Sequence, residues 1–171
     1  MRDVPLADWV ATVSRLREEG FAYFDWCTAV DQTDAADGAG FDLVCHLLAV
    51  GTPRQLRSAL LRTRLPEGAA APSLTGLFPG AAWHERETHE MFGIDFAGFD
   101  DGTGLGLRPL LLPDGFEGTP LRKSFVLAAR AAKTWPGGKE PGEGHAESRR
   151  AGASRRRVQA PGVPGPEWGP R

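Results

Sequence analysis

Apolar residues recur with helical spacing near the start of the chain. In PLADWVATVSRLREEG, residues 5–20, Leu6, Trp9, Val10, Val13 and Leu16 fall at i, i+3, i+4, i+7 and i+10, one face of an α-helix. Pro5 suits the first turn. Arg15 and Arg17 sit late, where cations meet the negative helix end, and Gly20 can stop the helix. The period then changes. FAYFDWCTAVD, residues 21–31, is aromatic and β-branched with partial alternation, Phe24, Trp26, Thr28 and Val30 facing one way, which predicts a strand. QTDAADGAG follows as a turn or short loop. FDLVCHLLAV, residues 41–50, is nearly apolar on both faces and reads as a central strand, with His46 in it as a satisfied structural residue.

QLRSALLRTRL, residues 55–65, fits two patterns. Leu56, Leu60, Leu61 and Arg64 suit a helix, whereas Arg62, Thr63, Arg64 and Leu65 suit an edge strand. PEGAAAPS is a loop, and residues 73–78 suit a short helical turn that ends before Pro79. Residues 81–92 read as a helix with Gly93 as its C-terminal glycine. IDFAGF is a short strand. RPLLLPDGFEGTPLRKSF is punctuated by Pro109, Pro113 and Pro120 and is extended or turned. From residue 136 the chain changes character: residues 136–171 hold six Pro and eight Gly with almost no large apolar side chains. Such a composition buries too little surface to offset chain entropy, so residues 1–135 are expected as one domain and residues 136–171 as a disordered or partner-draped tail. SRRAGASRRR within the tail is a basic cluster, read as solvated ahead of a nucleic-acid or lipid patch.

Length and charge narrow the classes. The chain has 171 residues, enough for one domain with a core. Its net charge of −2 divides into +3 for residues 136–171 and −5 for the remainder. An acidic body argues against a nucleic-acid-binding domain. No signal-peptide pattern opens the sequence, and no run approaches the roughly 18 apolar residues of a membrane span, which suggests a soluble or peripheral protein. Cys27 and Cys45 lie singly in apolar runs and read as small buried hydrophobes in a reducing compartment. Two thiols fall short of the roughly four that an iron–sulfur cluster takes.

The densest chemistry is WHERETHEMFG, residues 83–93. It approaches the H-E-x-x-H zinc motif, but that motif places its histidines at i and i+4. His84 and His89 stand at i and i+5, so their rings leave a helix about 140° apart. A zinc hydrolase on these two residues is therefore the weaker reading. GTGLG, residues 102–106, has the wrong spacing for a dinucleotide loop and runs into Arg108-Pro109. No nucleophile elbow or catalytic triad is present. The charges of the helix remain: Glu85, Arg86, Glu87 and Glu90. Arg86 and Glu90, at i and i+4, are placed to pair, while Glu87 and Glu90 repel. GTPLRKSF offers the opposite sign in Arg122 and Lys123. Both stretches suggest electrostatic docking or a solvated face, and neither suggests catalysis.

Two ordered motifs carry a resemblance. Trp83, Glu85, Arg86, Glu87, Glu90, Met91, Phe92 and Gly93 resemble the W-x-E-R-E signature of the 30-kDa subunit family of complex I, the C subunit of NADH-quinone oxidoreductase. Leu112-Pro113 followed by Gly118, Pro120, Leu121, Arg122 and Lys123 is similar to the family's second segment. CTAVD and CHLLAV also fit. The chain departs from the family at Phe99, where a G-H-P histidine is common, at Thr119 in place of histidine, and at Ser124 in place of an acid.

The resemblance implies an α+β fold: two layers, a mainly antiparallel sheet with helices on one side, which favours a strand for residues 55–65. It implies a non-catalytic subunit, without catalytic residues, cofactor or metal of its own. FMN, iron–sulfur clusters and quinone would lie in partner subunits that carry electrons from NADH to quinone, coupled to proton translocation. It implies partners among the peripheral-arm subunits, especially the D and B subunits, and a place on the cytoplasmic side of the cell membrane through the complex. Trp83, Glu85, Arg86, Glu87, Glu90, Arg122 and Lys123 become subunit-interface residues, the helix charges being met across a boundary or by Arg122 and Lys123. A homologous subunit of a membrane-bound hydrogenase or related quinone-linked dehydrogenase shares these motifs.

Overall fold

The computed structural model describes residues 1–36, 38–51 and 55–126. The expected boundary at 135/136 and the tail of residues 136–171 lie outside them. The chain divides into two compact units at Asp114/Gly115, and each is described by itself.

The first unit is α+β. Its elements run β1 (Arg2–Asp3), a 3-10 turn (Leu6–Asp8), α1 (Trp9–Glu18), β2 (Tyr23–Asp31), β3 (Gly40–Val50), β4 (Leu56–Pro66), β5 (Ala71–Pro72), α2 (Ala81–Phe92) and β6 (Phe96–Ala97). Four strands form one sheet in the order β1-β4-β3-β2; β1 pairs with β4 in parallel and the other pairs are antiparallel. β5 and β6 form a short parallel pair. The two patterns of residues 55–65 thus resolve to a strand, Leu56–Pro66. β1 was illegible, because two residues carry no period. Among the described residues no helix is long and apolar enough to cross a membrane.

Alternation in β3 decides which sheet face the helices cover. Phe41, Leu43, Cys45, Leu47 and Ala49 enter the core with Trp9, Val13 and Leu16 of α1, Leu61 and Leu65 of β4, and Ala81 and Phe92 of α2. Both helices therefore sit on one face. The other face carries the polar half of β4. Arg64 Nε donates to Asp42 Oδ1 (2.6 Å) and Arg62 Nε to Asp3 Oδ1 (2.6 Å), which explains why RTR alternates around the buried Thr63. His46 is satisfied there as expected: its Nδ1 donates to Asp25 Oδ2 (2.7 Å) and its ring stacks on Trp26.

One expectation fails in β2. The pairing register shifts between Phe24 and Trp26: Phe24 lies opposite Leu47, and Trp26 opposite His46. The extra residue at Asp25 moves Phe24 to the core side, against Phe78 and His84, while Trp26 stays on the other face. Cys27 and Cys45, both buried, lie directly opposite one another. Burial pushes the Cys45 thiol up to about 12, and burial with the neighbouring Cys45 raises Cys27 well above its ordinary value, so both read as inert packing groups. Gly40 is required by contact: a Cβ there would lie 2.2 Å from the Leu65 carbonyl oxygen.

Candidate functional site

The charged helix α2 follows Pro79 and ends at Gly93, whose φ of 71° and N–H bond to the His89 carbonyl (2.7 Å) close it. Its buried residues are Ala81, Glu85, Thr88 and Phe92, at i, i+4, i+7 and i+11. This is a helical stripe with a carboxylate in an apolar position, and the stripe itself was the missed signal.

Glu85, expected among the interface charges, faces the interior with 0% exposure. Its Oε1 accepts the Leu74 amide (2.6 Å) and its Oε2 accepts the Ser73 hydroxyl (2.7 Å). Ser73 Oγ in turn bonds Thr75 Oγ1 (2.8 Å), which accepts the Asp100 amide (3.1 Å). Burial raises the Glu85 carboxyl to about 7, against the opposing pull of the Leu74 and Ser73 bonds. Glu85 thus ties residues 73–75 to α2.

The i, i+4 spacing brings the Arg86 charge to bear on the Glu90 carboxylate, but the hydrogen bonds of both side chains go elsewhere. Both hold the segment that runs beside the helix. Arg86 Nε donates to the Arg108 carbonyl (3.1 Å) and its terminal nitrogen to the Pro109 carbonyl (2.6 Å). The Glu90 carboxylate accepts the amides of Leu110 (3.0 Å), Leu111 (2.7 Å) and Leu112 (3.0 Å). Partial burial pulls the Glu90 carboxyl upward, but these three amides and the Arg86 charge outweigh it and leave it below its ordinary value. A proline-rich segment with no ladder of its own gains its hydrogen bonds from two side chains.

Trp83 and Glu87 remain, one turn apart on the outward side of α2. Trp83 is 46% exposed, with its ring edge against His84. Glu87 is half-buried, and among the described residues of Met1–Asp114 no hydrogen bond or ion pair meets its carboxylate. Leu111, on the segment that Glu90 holds, is also exposed. His84 and His89 go to separate partners. His84 contacts Phe24 and Trp83, while His89 Nδ1 donates to the Ile94 carbonyl (3.1 Å) and lies 3.3 Å from Asp95. Among the described residues no group of three His, Cys, Asp or Glu side chains is placed to hold a metal ion.

Arg122 and Lys123 belong to the second unit. There the Arg122 amide bonds the Thr119 carbonyl (3.1 Å) and the Phe125 amide bonds the Arg122 carbonyl (3.0 Å), a pair of turns with the Phe116 and Phe125 rings 6.0 Å apart. Arg122 is half-buried and Lys123 exposed.

Comparison with known proteins gives these features a context. Residues 3–131 match the family described as respiratory-chain NADH dehydrogenase, 30 Kd subunit. The chain is 40% identical over 121 residues to the NADH-quinone oxidoreductase C subunit of Sinorhizobium medicae, covering 69% of this chain and 55% of that protein. It is 47% identical over 87 residues to the C subunit of Mesorhizobium japonicum, covering 51% and 39%, and 36% identical over 125 residues to the C subunit of Brucella abortus, covering 72% and 58%. The chain therefore spans roughly two fifths to three fifths of these curated relatives. Among solved structures, a trypsin-resistant fragment of Nqo5 aligns with a TM-score of 0.51 at 23% identity, covering 58% of this chain and 79% of the fragment. That likeness concerns the fold. A chain from the membrane-bound sulfane sulfur reductase, an archaeal respiratory membrane complex, aligns with a TM-score of 0.60 at 28% identity, covering 74% and 71%.

Proposed function

The chain belongs to the family of the 30-kDa subunit of respiratory-chain NADH dehydrogenase, and from that premise we propose that it is a non-catalytic structural subunit in the peripheral arm of an NADH-quinone oxidoreductase. In this reading it supports electron transfer from NADH through iron–sulfur clusters to quinone, coupled to proton translocation. The redox groups, FMN included, belong to its partners, above all the D and B subunits, and the chain meets the cytoplasmic side of the membrane through the complex.

The single observation that carries the docking role is the division of labour on α2. Glu85, Arg86 and Glu90 are used up within the chain. Trp83 and Glu87 are left, an exposed aromatic beside a half-buried carboxylate that no hydrogen bond or ion pair meets among the described residues of Met1–Asp114. An indole next to an unmet charge suits a partner that brings an arginine or lysine and an apolar contact, since aromatic anchors and desolvated charge pairs dominate interfaces. Arg122 and Lys123 are the second docking element of this reading.

A second reading has its own support: the alignment with the sulfane sulfur reductase complex covers most of this chain. The same subunit would then serve a hydrogenase-type or related respiratory membrane complex. Affinity capture of the full chain from membranes of its own cell, with identification of the bound proteins, separates the two. NADH-binding and quinone-site subunits support the first reading, a nickel-site or sulfur-reducing subunit supports the second, and recovery of neither overturns both.

A further inference from the structure

Beneath α2 the core leaves a small cavity, with about 10 Å³ open to the centre of a water molecule. Trp9, Cys27, Leu43 and Leu74 supply apolar wall, and Glu85 and Thr88 supply polar wall. Glu85 and Thr88 are inside the protein, at 0% and 1% exposure, and the half-buried Thr28 also lines the cavity. Among the described residues the Thr88 hydroxyl has no hydrogen-bond partner. A threonine within a helix can turn its hydroxyl onto the carbonyl one turn back, but Thr88 does not, and a buried hydroxyl left unmatched is costly. Glu85 has spare capacity on the same wall. A carboxylate offers about four lone-pair sites, and Leu74 and Ser73 use one on each oxygen.

We infer that this cavity is a binding site for one internal water molecule, which bridges the Glu85 carboxyl and the Thr88 hydroxyl. The size and the chemistry agree. A buried water takes a space of roughly 10–15 Å³ on this measure and two to four polar partners. The hydroxyl supplies one partner and the carboxyl another. The water extends the chain of bonds that runs from the Asp100 amide through Thr75 and Ser73 to Glu85, and it returns that chain to α2 one turn further on. It partly replaces the hydration that Glu85 loses on folding.

Water-oxygen magnetic relaxation dispersion on the full chain counts long-lived internal waters. Thr88→Val keeps the shape and removes the hydroxyl, so the count is expected to fall by one relative to wild type. Thr88→Ser keeps the hydroxyl and is expected to keep the count. Equal counts in wild type and Thr88→Val overturn the inference. Should Thr88→Val fail to fold, a wild-type structure at a resolution that orders internal water decides. A density peak within hydrogen-bond reach of both Glu85 and Thr88 supports the site, and a Thr88 hydroxyl turned onto the His84 carbonyl with no such peak overturns it.

Discussion

Glu85 shows at the scale of one residue how burial turns a surface-type side chain into a structural group. Its carboxyl is raised from 4.5 to about 7 by burial, so the folded chain binds a proton more tightly than the unfolded one. Its contribution to stability is full below about pH 4.5 and is lost as pH rises to about 7, a difference on the order of 3 kcal/mol. Glu85→Gln imitates the protonated form, accepting from Leu74 and donating to Ser73. It is expected to flatten the stability profile between those two pH values and to raise the melting temperature at pH 8. A variant as steeply pH-dependent as wild type contradicts this assignment. The burial of Cys27 and Cys45 was legible in the sequence because each sits among apolar neighbours. That of Glu85 was hidden because a charge reads as surface; only its spacing with Ala81, Thr88 and Phe92 pointed inward.

Elements bring these side chains to their tasks. The α2 helix was legible, with both bounds and its closing glycine, because Pro79 and Gly93 punctuate a helical run. The segment beside it was not, since its hydrogen bonds come from Arg86 and Glu90, about twenty residues upstream. Removing the acceptor tests that clamp. Glu90→Ala is expected to speed amide hydrogen exchange at Leu110, Leu111 and Leu112 while the core strands keep their protection, at a cost on the order of 1–2 kcal/mol. Unchanged exchange at these three amides contradicts the clamp. The β3–β4 pairing makes a second demand. Gly40→Ala drives a Cβ against the Leu65 carbonyl and is expected to lower stability by about 1–3 kcal/mol in a denaturant titration; an unperturbed midpoint contradicts the close approach. The shift at Asp25 escaped the sequence reading because alternation alone cannot reveal an inserted residue until the partner strand is known.

At the scale of the whole molecule, the sheet with both helices on one face was reachable only through family resemblance, since residues 55–65 fit helix and strand equally well by pattern. Docking was legible as an excess of charge, but which charges remain for a partner depended on contacts distant in sequence. Among the described residues of Met1–Asp114, Glu87 is the acid of α2 left for a partner. A half-buried carboxylate is tolerated if a partner's cation meets it, and neutralising it costs the free chain little because the described residues of Met1–Asp114 offer it no hydrogen bond or ion pair. The most direct measurement is quantitative capture of tagged wild type, Glu87→Gln and Glu90→Gln from membranes, alongside the melting temperature of each purified chain. Glu87→Gln is expected to recover several-fold less of the oxidoreductase subunits than wild type or Glu90→Gln, with its own melting temperature unchanged. Recovery equal to wild type for both variants would make α2 a merely solvated face and contradict docking through Glu87.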